Sequence, residues 1–525
     1  VQDKWTPSNR FSLTYGLRVD MPIFLTDLQE NPAVAANTYR DGIKIDVSKY
    51  PNAKPQFSPR FGFNYKPFDD ENGSLQIRCG TGLFTGTPPY VWISNQAGNN
   101  GVLFGDLNVR AVKDKNDNII SDGRPSLGFT GNMDTYKPAE GSATRSDIAI
   151  TDPDFKYPSL WKSNIAADYK FGDGWVATIE LLYSKDINAI YHDNIGLYRT
   201  EQFVNDGGAG NARPYYNGYY SDREGNQKAA NHVVMLRNTS KGHSLYTTFQ
   251  LQKNFVDGIL KGLYLNGSYS FGQSRGVTDG TSSVATSAWK YRAALDGNAE
   301  EVGYTAGSFD GRLLLSASYT ANWSKYAATS FGLIYQRYRP FRYSYCYNGD
   351  ANGDSQFSND LMYIPANFDE VKDHLLPGDF DSQEDAWKAM NAFIEQDPYL
   401  SKHRGEYAER NGAVAPFANQ LDLSVSHDIK IYQKNGRSHT LRFSFNIANF
   451  LNLLNRNWGV VQTTVLGNQQ YQFLTIPKGQ GPSAANNYTL KYTMAKDLDE
   501  TFKDNLNDVS RWQMQFGIKY ISVSY

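Results

Sequence analysis

Phe11-Ser12-Leu13-Thr14-Tyr15-Gly16-Leu17-Arg18-Val19-Asp20 is the stretch on which the fold class turns. In an extended chain Phe11, Leu13, Tyr15, Leu17 and Val19 fall on one side, and Ser12, Thr14, Gly16, Arg18 and Asp20 on the other, which makes a strand with one apolar and one polar face. The pattern recurs. Trp175, Ala177, Ile179, Leu181 and Tyr183 alternate with Thr178, Glu180 and Ser184; Leu263, Leu265, Tyr269 and Phe271 with Asn266, Ser268 and Ser270; Leu441, Phe443, Phe445 and Ile447 with Arg442, Ser444 and Asn446. Charged groups such as Arg18, Glu180, Asp422 and Arg442 on the second face would be costly in a dry sandwich core unless each were paired. A water-filled lumen removes that cost.

The joints between strands supply a second, independent pattern. Very long connections fall near 85–160, 196–230, 275–310 and 348–418, and a long segment also precedes Ser58. Short turns fall at 69–73, at Gly172-Asp173-Gly174, near 256–260, at 323–326 and at 434–437. Long and short alternate through about 14 candidate strands, as expected of an outer-membrane barrel with tight turns on one side and large loops on the other. The last strand, from Arg511 to Tyr525, alternates Trp512, Met514, Phe516, Ile518 and Tyr520 with polar or small residues. Its phase then slips, since Ile521, Val523 and Tyr525 continue the opposite face; a bulge, or an altered end, would account for this.

Composition agrees with this reading. The 525 residues carry 52 Lys+Arg against 54 Asp+Glu, a net charge of −2, so there is no basic excess of the kind that binds nucleic acid. Mean hydropathy is −0.56, and no run approaches the roughly 18 apolar residues of a membrane-spanning helix. Yet 36 Tyr, 29 Phe and 9 Trp make the chain 14% aromatic. Low hydropathy with abundant aromatics suits strands that face lipid on one side and water on the other, with aromatic girdles at both interfaces. The expected fold is therefore all-β, a transmembrane antiparallel barrel. Two cysteines, Cys79 and Cys346, make no disulfide framework and are expected to stay free. The N-terminus shows neither a charged n-region nor an apolar h-region, which leaves a removed signal or a chain that is a fragment.

Few constellations suggest chemistry. Asp350, Asn352, Asp354 and Gln356 lie at positions 1, 3, 5 and 7 of an Asn/Gly/Asp-rich loop, the spacing that wraps oxygen ligands around Ca²⁺. Asp360 is the candidate closing ligand, one position early for an EF-hand, and the competing reading is a solvated turn. His403 alone among the seven histidines sits amid other acid/base groups, and loop packing is the favoured role for it. The chain has no Gly-x-Ser-x-Gly elbow, His-Glu-x-x-His or phosphate-binding glycine loop, so no enzymatic activity is expected. Residues 382–394 predict a short amphipathic helix with a Ser382 cap and apolar positions 386, 387, 390, 393 and 394. The tyrosine clusters at 214–220 and 335–347 suit either ligand stacking or an interfacial belt.

Several blocks make the pattern more specific. They are Ser58-Pro59-Arg60-Phe61-Gly62, Gly82-Leu83-Phe84-Thr85-Gly86, Tyr90-Val91-Trp92-Ile93-Ser94-Asn95-Gln96, Gln396-Asp397-Pro398-Tyr399-Leu400, Arg404-Gly405-Glu406-Tyr407-Ala408-Glu409-Arg410-Asn411-Gly412 and Asn449-Phe450-Leu451-Asn452-Leu453-Leu454-Asn455. In this order they resemble the Oar-like branch of TonB-dependent outer-membrane receptors. The start of the chain resembles a mid-barrel hairpin of such receptors, with its turn at 6–9. The resemblance implies a barrel of about 22 strands around an N-terminal plug whose TonB box meets the energy-coupling complex. Residues 1–525 would then be the C-terminal part of one barrel domain, with plug and first strands outside this chain. It further implies active transport of a solute, glycan, peptide or protein ligand across the Gram-negative outer membrane. A non-transporting surface adhesin or structural barrel is the alternative, and an outer-membrane hydrolase a third.

Overall fold

In the computed structural model the described residues are 1–71, 73–102, 112–114, 118–121, 131–132, 134–135, 146–204, 213–432, 437–466, 470–482, 488–493 and 500–524. Thirteen long strands among them form one antiparallel wall in chain order. They are β1 (Gln2–Ser8), β2 (Phe11–Asp20), β3 (Gln56–Asp70), β4 (Gly73–Thr85), β5 (Ser159–Phe171), β6 (Trp175–Asp186), β7 (His243–Asn254), β8 (Leu263–Gly276), β9 (Arg312–Ser324), β10 (Ala327–Tyr338), β11 (Ala418–Tyr432), β12 (Arg437–Ala448) and β13 (Gln513–Ser524). A two-residue strand, Gly303–Tyr304, adds to the end of β8, giving the sheet its fourteenth member. Every strand pairs with its sequence neighbours, so β1 and β13 are the edges of the path.

Register keeps like with like. Residues opposite each other in a ladder share a face, and Leu13 faces Phe63, Phe63 faces Cys79, Cys79 faces Ile165 and Ile165 faces Leu181. Phe249, Tyr269, Phe331, Leu333, Phe443, Phe516 and Ile518 extend this apolar face, and all are exposed. On the other face Ser12, Asn64, Arg78, Ala166, Glu180, Thr248, Ser270 and Arg312 follow one another across the wall. A slip of one residue at any ladder would turn the aromatics of the apolar face to the polar one, which is why the alternation itself holds the register.

The connections alternate as the sequence predicts. Asn9-Arg10 closes β1 on β2, Gly172-Asp173-Gly174 closes β5 on β6, and Lys325-Tyr326 closes β9 on β10. The first turn therefore lies at 9–10, later than the expected 6–9, because β1 runs on to Ser8 through an irregularity after Trp5. Gly174 has φ +81, and a Cβ there would lie 2.5 Å from the Asn254 carbonyl oxygen, so this turn needs glycine. The expected turn at 434–437 falls almost wholly outside the described residues. Long connections span 21–55, 86–158, 187–242, 277–311, 339–417 and 449–512, all leaving the same end of the wall. The last of these is absent from the loops the sequence pattern picks out. Nor is β13 bulged: Arg437–Ala448 pairs without a break with Gln513–Ser524, and Ile521 and Val523 simply occupy the polar face opposite Thr440 and Ser438.

The buried core lies in the long connections, away from the wall. Val34, Tyr39, Ile148, Ile150, Ile195, Val233 and Met235, from three of them, form one cluster around the sheet of Ser146–Thr151, Ala189–Asn194 and Ala230–Thr239. A larger cluster joins 339–417 to 449–512 through Tyr343, Tyr345, Met390, Phe393, Tyr471 and Phe473. The helix Gln383–Gln396 supplies its apolar stripe, burying Ala386, Met390, Phe393 and Ile394, and Ser382 caps it by accepting from the Asp385 amide at 3.1 Å. Tyr343, Tyr345 and Tyr347 are fully buried here, so that part of the aromatic cluster is core and neither belt nor ligand platform.

Candidate functional site

The polar face of the wall is a ladder of paired side chains. Arg78 donates to Asp168 at 2.7 Å, and Thr178 reaches the other carboxylate oxygen at 2.8 Å. Arg442 grips Asp428 through two bonds of 2.6 and 2.8 Å, Gln250 meets Asn266 at 2.7 Å, and Gln336 meets Gln420 at 2.8 Å. Ions and amides exchange hydrogen bonds across strands and remain partly open to water, which suits a wet, hydrophilic lining.

The connections add polar cavities to this lining. One of about 530 Å³ is walled by Arg40, Arg199, Glu201, Tyr216, Asp296 and Asn298. Tyr216 donates to Asp296 at 2.7 Å, and Arg40 donates to Asp193 at 2.5 Å, where Arg237 donates to the same oxygen at 2.9 Å. Burial, then the Asp296 charge, pushes the Tyr216 hydroxyl far above its ordinary value. These residues come from three separate connections, and no local spacing announces them; only the charged residues amid apolar loop sequence hint at buried pairs.

The residues expected to ligate Ca²⁺ lie in one loop, where their side chains bond backbone amides and neighbouring groups. Asp350 accepts from the backbone amides of Asn352, Gly353 and Ser355 at 3.1, 2.6 and 2.8 Å. Asp360 accepts from Ala351 N at 2.8 Å and from Arg213 at 3.1 Å, an ion pair with both members fully buried. Asp354 is buried, holds the Gln356 amide at 2.8 Å and receives Asn352 Nδ2 at 3.3 Å; the Gln356 side chain faces His232 at 3.4 Å. Burial, then the charges of Asp360 and Asp350, raises the Asp354 carboxyl well above the carboxylate range. Among the described residues no three His, Cys, Asp or Glu side chains are disposed to hold a metal. A cation here would thus depend on amide and backbone oxygens as well as on Asp354.

The remaining expected positions are structural. His403 donates to the Tyr399 carbonyl at 2.8 Å with its ring stacked on Tyr399 at 4.1 Å. Asp397 is fully buried and accepts from Tyr345, Thr501, Tyr399 N and Leu400 N, tying two connections together. Both cysteines are free, Cys79 on the apolar face of the wall and Cys346 buried.

A wall apolar on one face and polar on the other, with its core displaced into the loops, defines an outer-membrane β-barrel. Residues 1–489 match the outer membrane beta barrel domain family, and the chain belongs to it; its place is the Gram-negative outer membrane. No curated protein matches the chain. Among solved structures it is similar to a ferric enterobactin receptor (PfeA) mutant from Pseudomonas aeruginosa, at 8% identity and TM-score 0.35 over 99% of this chain and 53% of that one. The outer membrane transporter YddB from Escherichia coli gives 9% identity and TM-score 0.35 over 99% and 53%. The RagAB peptide transporter gives 8% and 0.28 over 99% and 56%. The chain spans about half the length of these structures.

Proposed function

We propose that the chain is the C-terminal part of the barrel of a TonB-dependent transporter of the Oar-like branch, whose long loops capture a solute for energised passage across the outer membrane. The observation that carries this reading is the division of labour along the chain. Every second connection is long, the long ones share buried cores at one end of the wall, and beneath them the polar face is lined with half-buried amides and ions. Such a roof over a polar conduit captures and passes a solute and needs no bond-breaking group; the protein is not an enzyme. Its strands are completed to a barrel of about 22 by the rest of the polypeptide, because unpaired edges are not tolerated in lipid. Its partners are lipid, the TonB complex acting through a plug encoded upstream, and a solute, glycan, peptide or protein ligand. Nucleic acid is not among them.

The test is intact mass and N-terminal sequencing of the mature protein from outer membrane, followed by cross-linking to TonB. A mass near twice 59.0 kDa and a cross-link through an upstream plug are expected. A mature chain starting at Val1 with no cross-link would favour the adhesin or structural barrel.

A further inference from the structure

The cavity beside Arg40 and Asp296, of about 530 Å³, is built by three connections at once. Arg40 and Asp41 come from 21–55, Arg199, Glu201, Phe203 and Tyr220 from 187–242, and Asp296 from 277–311. Its arginines are answered within the protein. Arg40 donates to Asp193 at 2.5 Å and lies 3.5 Å from Asp41, and Arg199 lies 3.5 Å from Asp296. Arg237, which shares Asp193, also holds Asp152 at 3.2 Å. Asp296 accepts from Tyr216 at 2.7 Å and from Asn298 N at 2.8 Å, while Asp41 and Glu201 are exposed and keep their hydration.

What the lining leaves open is hydrogen-bonding capacity of both kinds. The Glu201 carboxylate and the Tyr220 hydroxyl bond to no described residue, and Arg199, 45% exposed, spends one donor at 3.5 Å. Beside them stand two rings, Phe203, 46% exposed, and Tyr220, half-buried. A charged ligand gains little here. An anion would meet Asp41, Glu201 and Asp296, and a cation would compete with Arg40 and Arg199 for carboxylates they already hold. A peptide held by its side chains needs apolar pockets, and beyond the rings Ala299 is the one apolar side chain in the lining. Hydroxyl groups both donate and accept, so a polyol answers carboxylate and guanidinium together without breaking a pair, and the apolar face of a sugar ring covers an aromatic one. We propose that this cavity binds a neutral oligosaccharide, with Arg199, Glu201 and Tyr220 on its hydroxyls and Phe203 against a ring face. The volume lies within the roughly 300–1,000 Å³ of small-ligand pockets. The inference rests on the transport reading and deepens it by giving the solute a chemical class.

The full-length protein, in a detergent without a sugar headgroup, is applied to an array of immobilised neutral and acidic oligosaccharides and to a peptide array. Retention on at least one neutral oligosaccharide is expected, competed by the same sugar in solution and unchanged by added salt. Glu201→Ala and Phe203→Ala, both at exposed positions, should each weaken it about tenfold. Should one of them not fold, the other still decides. No retention on a neutral oligosaccharide, retention confined to acidic oligosaccharides or peptides, or retention indifferent to the substitutions would overturn the assignment. Such a result with the TonB cross-link intact removes only this inference, whereas loss of the cross-link removes the transport reading beneath it.

Discussion

Asp354 concentrates the electrostatics of the acidic loop. Arg213 answers Asp360, but Asp354 lies buried beside it with amide partners, so its charge is relieved either by a proton or by a cation, and added Ca²⁺ tells the two apart. Added Ca²⁺ should raise the melting temperature of the loop assembly and EGTA should reverse the gain, with Asp354→Ala losing both responses. A melt indifferent to Ca²⁺ and EGTA would make the loop a metal-free turn. His192 poses the opposite case. It packs edge-on to Trp92 at 5.5 Å, and burial, then the Arg292 charge, lowers its pKa to about 4. Its ordinary value is about 6.5. The folded protein therefore prefers the neutral ring, and this contribution is complete above about 6.5 and fades as pH falls toward 4. Tryptophan fluorescence should show the loop assembly loosening across that window, with His192→Gln flattening the profile; equal profiles would remove His192 as the cause.

At the scale of the strand, the two faces of β12 give a direct comparison. Phe443 faces lipid opposite Ile518, and Ser444 faces the lumen opposite Gly517. Phe443→Arg should impair folding into bilayers by about 2 to 4 kcal/mol near the midplane, whereas Ser444→Arg should cost less, as measured by urea titration of the refolded barrel. Equal penalties would contradict the faces. These strands were legible in sequence because lipid and water impose a strict period of two, and Leu441 to Ile447 obey it residue by residue. The helix at Gln383–Gln396 was legible for the same reason, through its 3.6-residue stripe and Ser382 cap. The loop cavities were not. Arg40, Asp193 and Asp296 converge from segments far apart in the chain, and each is locally indistinguishable from a solvated surface charge. The tyrosines at 343–347 misled in the same way, because a buried loop core and a surface belt share one composition.

For the whole molecule, wall and loop assembly face different solvents and should lose structure separately. Cys346 lies in the loop core, where burial raises its thiol well above the usual range, and Cys79 lies on the lipid face of β4. Maleimide should leave Cys346 untouched in the native protein and label it at urea concentrations where the wall still migrates as a folded barrel. Simultaneous exposure of Cys346 and loss of the folded band would mean a single cooperative unit.

The two edges of the wall carry a constraint of parity. Thirteen antiparallel strands in sequence make β1 and β13 run in the same direction. Joining them directly, or to a second copy lying the same way up, would create a parallel seam. Bacterial barrels close with an even number of antiparallel strands, so on the proposed reading the strands that complete this wall are odd in number. For the proposed barrel of about 22 that number is nine, which turns an arithmetic property of the wall into a test of the proposal.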